Sequence, residues 1–441
     1  MNHVIIGNGP TGIIAAETLR KEDPQSTITV IGDEPELPYS RMAIPYYLMG
    51  GIDERGMHLR KDEQHFHNLK IDLIDVPAER VDTGARQVHL NDGRKLDYDK
   101  LLIATGSKPA SAPIPGINLP GVHTCWTMDD ARHIARIAKP GARVVQMGAG
   151  FIGCIILEAL ASRGVELTVI EMGNRMVPRM MTEGAGSLIK TWCEKKGVKV
   201  YTSTKVTGIE KAEPKSPGLL GKVEVAVGMK ENEEVAGPLR VKLDNGKVLE
   251  ADLVISATGV RSNIAILKDT GIKTEAGVLV DADMQTNIPG VYAAGDVAQA
   301  TEFNTGDRIV NAIQPNAADQ ALIAARNMAG QTTHSQGTMA INVLDTMGLI
   351  SSSFGQWMGI EGGDHAELTD AENFRYLRLE FKGDVVIGAT SLGWTEHVGV
   401  IRGLIQSRLH LCEWKDLLMQ DPTRFVDAYI ARSQGGAERA A

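Results

Sequence analysis

The chain has 441 residues, 43% of them hydrophobic and 23% charged, close to globular averages, which excludes disordered, collagen-like and coiled-coil classes. With 46 Lys and Arg against 55 Asp and Glu the formal net charge is −9, and no basic run exceeds two residues, so no field for nucleic acid or anionic membranes is expected. The 47 glycines exceed the average share of about 7%, which suits a chain that brings backbone close to ligands.

At about 150 residues per domain the length suggests three domains. The opening MNHVIIGNGPTG lacks a basic leader region, and no apolar run reaches about 18 residues. A cytoplasmic protein without a transmembrane helix is the expectation. Residues 3–7 (HVIIG) read as a buried strand, NGPTG as a turn, IIAAETLRK as a helix, and 26–32 (STITVIG) as the next strand. Within 95–109, LLIATG reads as a buried strand, and 111–121 (SAPIPGINLPG) as a linker. The first grammar then repeats: strand 142–148, turn AGFIG, helix 154–164, strand 166–171. Gly7 and Gly148 stand 141 residues apart, so one supersecondary unit occurs twice. Alternating segments follow (KVEVAV, LRVKLDNGKVLEADLVI), with a hairpin turn at Asp244-Asn245-Gly246. The charged stretch 211–240 reads as a hairpin extension. ADLVISATG (251–259) mirrors LLIATG, 286–300 reads as a strand ending at Gly295-Asp296, and 313–330 as an amphipathic helix. Beyond 331, a hairpin over 374–393 and a helix over 397–411 indicate a third domain, and the tail 433–441 should fray.

The fold class is therefore α/β, with two Rossmann-like dinucleotide-binding domains plus a C-terminal α+β domain. The expected boundaries are 1–112 and 248–330 for a discontinuous first domain, 113–247 for an inserted second, and 331–441 for the third.

Two glycine patterns carry the chemistry. In Gly7-Asn8-Gly9-Pro10-Thr11-Gly12, the first glycine permits a tight turn and Gly9 lets a pyrophosphate touch the backbone. Gly12 lets helix and strand pack closely, and the helix N-terminus then faces the phosphates. Asp33, 21 residues after Gly12, and Glu34 end the second strand, where a carboxylate accepts a bond from a ribose hydroxyl. Gly148-Ala149-Gly150-Phe151-Ile152-Gly153 repeats the pattern, with Glu171 18 residues beyond Gly153. Glu171 suits a 2′-hydroxyl and repels a 2′-phosphate, favouring NAD over NADP, although Arg175 lies nearby. Cys125, Cys154, Cys193 and Cys412 form no CxxC and read as structural thiols. His65 and His67, two apart, could share one side of a strand, and read as a solvated pair rather than a metal site.

With these motifs in order, the chain resembles the FAD-dependent pyridine nucleotide-disulfide oxidoreductase superfamily. Within it the resemblance is to NAD(H)-dependent ferredoxin, rubredoxin and nitrite reductase flavoproteins, with coenzyme A-disulfide reductases and NADH oxidases as cousins. It covers about residues 1–330. It implies FAD in the first domain and NAD(H) in the second. It implies flavin contacts at Ala104-Thr105-Gly106, Arg41, Lys108, the backbone of Ala78, and Gln314. Asp296, ending Thr286–Asp296, would hold the ribityl chain ahead of a helix aimed at the flavin; its alternative reading is that helix's N-cap. Ala257-Thr258-Gly259 would face NAD.

Three departures stand out. Met42 occupies the position of the cousins' redox cysteine. Tyr46 and Ile155 replace a lysine–glutamate pair that lies beside the flavin in many ferredoxin reductases, and one buried charge without its partner would be costly. Ser262 replaces a proline. The implied activity is an FAD-dependent NAD(P)H oxidoreductase passing electrons from NADH to a small redox protein, with no acid–base residue named and a homodimer possible. The alternatives are an NADH oxidase, a coenzyme A-disulfide-type reductase, or a non-catalytic flavoprotein subunit of a redox complex.

Overall fold

A computed structural model describes residues 1–212 and 238–434. Most of the hairpin expected over 211–240, with its KVEVAV segment, and most of the tail expected to fray lie outside the described residues. Apolar runs buried on both faces build two parallel five-stranded sheets. The first runs Val291–Ala293, Lys100–Ile103, Asn2–Ile6, Thr27–Ile31, Ile71–Ile74. The second runs Lys199–Tyr201, Glu166–Ile170, Arg143–Met147, Leu253–Ser256, Val122–His123. In each, the strand before the glycine turn sits at the centre, so both turns open at the carboxyl edge of a buried sheet. Ile5, Ile28, Leu101 and Leu102 are fully buried, each contributing roughly 1.5–3 kcal/mol.

Each sheet carries a three-stranded antiparallel appendage: Ala78–Asp82, Gln87–Leu90 and Lys95–Asp97 in the first unit, and Val206–Lys211, Leu239–Leu243 and Val248–Ala251 in the second. The helix Gln314–Met328 packs along Pro10–Glu22. A C-terminal antiparallel sheet orders Ile341–Thr346, Leu349–Gly355, Val385–Leu392, Arg375–Lys382, Asp364–Asp370. The helix Val398–Ser407 covers one face, and Leu344, Leu349, Tyr376 and Leu392 join the core of the second unit.

Two expectations need correction. Strands Val248–Ala251 and Leu253–Ser256 belong to the second unit, so the chain returns to the first after Ser256 and not at 248. Leu253–Ser256 pairs with Arg143–Met147 across about a hundred residues, a partnership no local pattern encodes. His65 and His67 lie on a short helix, His65–Asn68, and not on a strand; His65 Nε2 sits 2.8 Å from Glu17 Oε1. Among the described residues no helix is long and apolar enough to cross a membrane.

Candidate functional site

In the first unit Gly7 adopts φ +118°, and an added Cβ would stand 2.1 Å from the Ala104 carbonyl oxygen. A Cβ on Gly12 would stand 1.9 Å from the Gly7 oxygen. Both glycines are demanded by the fold. Gly9 is not, because an added Cβ would meet nothing within 4 Å. Gly9 caps the helix Pro10–Glu22 without a side-chain hydrogen bond, and Pro10 fills the first turn. The amides of that helix end therefore face open space with the positive end of the helix dipole behind them. Thr11 is buried and packs where a side chain on Gly295 would stand, 2.4 Å from its hydroxyl oxygen.

Around this opening Asp33 is exposed. Glu34 is engaged: Oε1 accepts from Arg41 Nη2 at 2.5 Å and Oε2 from the Tyr39 hydroxyl at 2.6 Å. Arg41 lies between the Tyr39 and Trp126 rings, 5.6 and 5.3 Å from their centroids, and donates to the Trp126 carbonyl at 2.7 Å. Ala104 N donates to Ile6 O, and Thr105 donates to Asn263 O at 2.7 Å. Gly106 turns at φ +64°. Lys108 and Gln314 are exposed, and Ala78 opens the appended sheet half-buried.

Asp296 follows Gly295, whose amide donates to Gln320 Oε1 at 2.8 Å. Burial raises the Asp296 carboxyl above its usual value, against the hydrogen bond from Ser107 (Oγ to Oδ2, 2.9 Å) and the nearby Arg41 charge. Asp296 caps no helix: the strand Ala298–Thr301 follows it, and the next helix starts at Gln314.

The second unit repeats the backbone arrangement. Gly148 (φ +97°) would place a Cβ 2.3 Å from Ala257 O, and Gly153 one 2.5 Å from Gly148 O. Gly150 again has nothing within 4 Å and caps the helix Phe151–Ala161 without a side-chain bond. Gln146 Nε2 spans the Gly148 and Gly153 carbonyls at 2.9 Å each. Phe151 and Ile152 are half-buried at the helix start, and Gly259 turns at φ +109° with Arg179 alongside.

The acid differs. Glu171 is only 9% exposed, with Oε2 accepting from Ala149 N at 2.7 Å and Oε1 from Gly173 N at 2.6 Å. Arg175 is tied within its own loop to Met181 O, Pro178 O and Asn174 Oδ1 at 2.9–3.2 Å.

Between the openings the helix Ile44–Leu48 packs on Phe151–Ala161, which brings the segments of Tyr46 and Ile155 together. Met42 and Tyr46 are 46% and 58% exposed. Cys154 is fully buried, its sulfur 3.6 Å from Ala149 O, and burial pushes its thiol well up. Burial also raises Cys125, and raises Cys193 to about 12; Cys412 is exposed. Sequence reasoning missed Tyr39, Trp126, Ser107 and Gln320. Gln320 was findable as a polar residue on the apolar face of its helix; the others carry no local signal.

Among the described residues each unit thus offers a helix end without a side-chain cap, above a glycine with room for a diphosphate, and the two openings fit two dinucleotides. A description of the pyridine nucleotide-disulphide oxidoreductase family matches residues 1–321. The chain is 29% identical to the epsilon subunit of the NADH-dependent phenylglyoxylate dehydrogenase of Aromatoleum evansii, over 95% of each chain. It is 33% identical to an NADH oxidase of Methanocaldococcus jannaschii, over 75% of this chain and 70% of that one. A crystal structure of the ferredoxin reductase for the CYP199A2 system of Rhodopseudomonas palustris superimposes with a TM-score of 0.80 at 25% identity, covering 91% of this chain and 93% of that one. The chain belongs to the pyridine nucleotide-disulphide oxidoreductase family, and it is an FAD-dependent oxidoreductase that uses NAD(H).

Proposed function

We propose that the protein takes electrons from NADH and delivers them to a small redox protein of the ferredoxin or rubredoxin type. Bound FAD supplies the exchange between a two-electron donor and a one-electron acceptor. The residues of the first unit would hold it: Gly9 and Pro10, with the amide of Thr11 behind them, at the pyrophosphate, Asp33 or Glu34 at the adenosine ribose, Ala78 by the adenine, Arg41 and Lys108 at polar groups, Ala104–Gly106 and Gln314 near the ring, and Asp296 at the ribityl hydroxyls. The amides behind Gly150, with Phe151, Ile152, Glu171 and Gly259, would hold NADH. Each Glu171 oxygen accepts one backbone bond and keeps a lone pair for a ribose hydroxyl.

The observation that carries the choice of acceptor is the lack of a usable thiol beside the flavin opening, since the exposed Cys412 lies in the C-terminal domain. Met42 stands where the resembling thiol enzymes have cysteine, and Cys154 is sealed beneath Gly150 with a raised pKa. The test is anaerobic mixing with NADH while watching the flavin spectrum, followed by acceptor assays. Bleaching without a long-wavelength thiolate band, and faster turnover with ferricyanide or ferredoxin than with coenzyme A disulfide, are expected. Disulfide reduction abolished by Cys154→Ser would overturn the reading.

A second reading, a subunit docked in a larger redox complex, rests on one likeness. The likeness to the phenylglyoxylate dehydrogenase subunit runs through the C-terminal domain, past the residues the family description matches. The protein would work in the cytoplasm, since four unpaired cysteines, one exposed, suit a reducing compartment. It would also form a homodimer through the C-terminal sheet, where Val343 and Ile350 stand exposed.

A further inference from the structure

The chain leaves the first unit along Ser107–Pro109 and returns along Val260–Ser262. These two crossings pair antiparallel, with Ser107 opposite Ser262. The pairing continues at both ends: Asn263 N donates to Gly106 O and Ala110 N to Gly259 O, each at 2.9 Å, and the Thr258 hydroxyl donates to Ala110 O at 3.1 Å. The two opposed serines converge on one residue. The Ser107 hydroxyl donates to the Asp296 carboxylate at 2.9 Å, and the Ser262 hydroxyl donates to the Asp296 carbonyl oxygen at 2.8 Å. Asp296 is thus held by both crossings, one through its side chain and one through its backbone.

We infer that Ser107 and Ser262 are positioning residues that couple the orientation of the nicotinamide unit to the flavin-holding carboxylate. A proline at 262 could not make the second bond. A dinucleotide in the second unit orders the turn at Gly259, three residues before Ser262, and stiffens the paired crossings. Asp296 is then held more firmly against the ligand in the first unit, and by reciprocity FAD tightens the second site. This rests on the reading that Asp296 holds FAD.

The test measures FAD release from full-length holoprotein after dilution, by flavin fluorescence, with and without saturating NAD+. In the wild type NAD+ should slow release at least about fivefold, the lower range of measured couplings. Ser107→Ala should speed release about tenfold, because a half-buried carboxylate loses a donor, and Ser262→Ala about threefold. Both should abolish the NAD+ effect. Ser107→Thr keeps a hydroxyl and should restore both rate and effect. A wild type indifferent to NAD+, or alanine variants that release FAD at the wild-type rate, overturn the inference. If Asp296→Ala speeds release while the serine variants do not, only the coupling falls. If Asp296→Ala is also inert, the flavin assignment falls with it.

Discussion

The two dinucleotide units share a backbone and part company at the acid. In both, the first and third glycines are forced by a carbonyl within 2.5 Å of where a Cβ would stand, and the middle glycine has free space above it. The acids ending the second strands are used in opposite ways. Asp33 is exposed and Glu34 is spent on Arg41 and Tyr39, whereas Glu171 is buried and clasped by the amides of Ala149 and Gly173. A glycine pattern therefore reports a fold requirement at two positions and a ligand requirement at one. An acid at the strand end can brace the loop as well as read a ribose.

The sharpest break of this comparison separates glycines within one motif. Gly7→Ala and Gly148→Ala put a Cβ on a positive-φ residue against a carbonyl, and each should cost about 3 kcal/mol or more in denaturant unfolding. Gly9→Ala and Gly150→Ala should leave the ligand-free fold within about 1 kcal/mol. Each should still lose its own ligand at least about tenfold: FAD affinity for Gly9, KM for NADH for Gly150. A Gly9→Ala variant that keeps full FAD affinity would remove the diphosphate assignment.

Next comes Asp296, which follows the edge strand Val291–Ala293 of the first sheet. Asp296→Ala should weaken FAD by about ten- to a hundredfold, the worth of a charge-assisted bond. Because burial raises its pKa, protonation begins at a higher pH than for a free aspartate. On acidification FAD should therefore be released from that higher pH, a limb that Asp296→Asn abolishes. The sign for the ligand-free fold is opposite. A raised carboxyl pKa contributes stability at low pH, and the contribution is lost as pH rises through the folded value.

Glu171→Ala should have two effects where Asp33→Ala has neither. Wild-type discrimination for NADH over NADPH, expected at about 10- to 100-fold in kcat/KM from carboxylate–phosphate repulsion, should narrow. Two amides, the buried one of Ala149 and the half-buried one of Gly173, also lose their acceptor, at a cost of about 1–3 kcal/mol in unfolding free energy. Asp33→Ala should change stability by less than about 0.5 kcal/mol. The smallest effect concerns the thiols. Native alkylation should label Cys412 alone, since the other three cysteines are buried with raised pKa values, and NADH oxidation should be unchanged. Mass spectrometry of the alkylated protein checks this.

Much of this was legible in the residues alone. The repeated strand–glycine–helix–strand unit, the order of its motifs, the C-terminal hairpin and the absence of a redox cysteine at Met42 are local facts. Local spacing encodes them because a tight turn, a bare helix end and a strand each depend on a few consecutive residues. Tertiary structure decided what depends on distant partners. Leu253–Ser256 joined the second sheet because its vacant edge lies beside Arg143–Met147, which moved the return crossing past 248. Asp296 became a half-buried acid held by a serine 189 residues away, with a strand and not a helix after it. Glu171 turned inward because Ala149 and Gly173 present amides there, a pairing that exists only once the turn and the strand end meet. Hydrogen bonds of that reach leave no period in the sequence, since each partner is chosen by where the fold brings it and not by its neighbours in the chain.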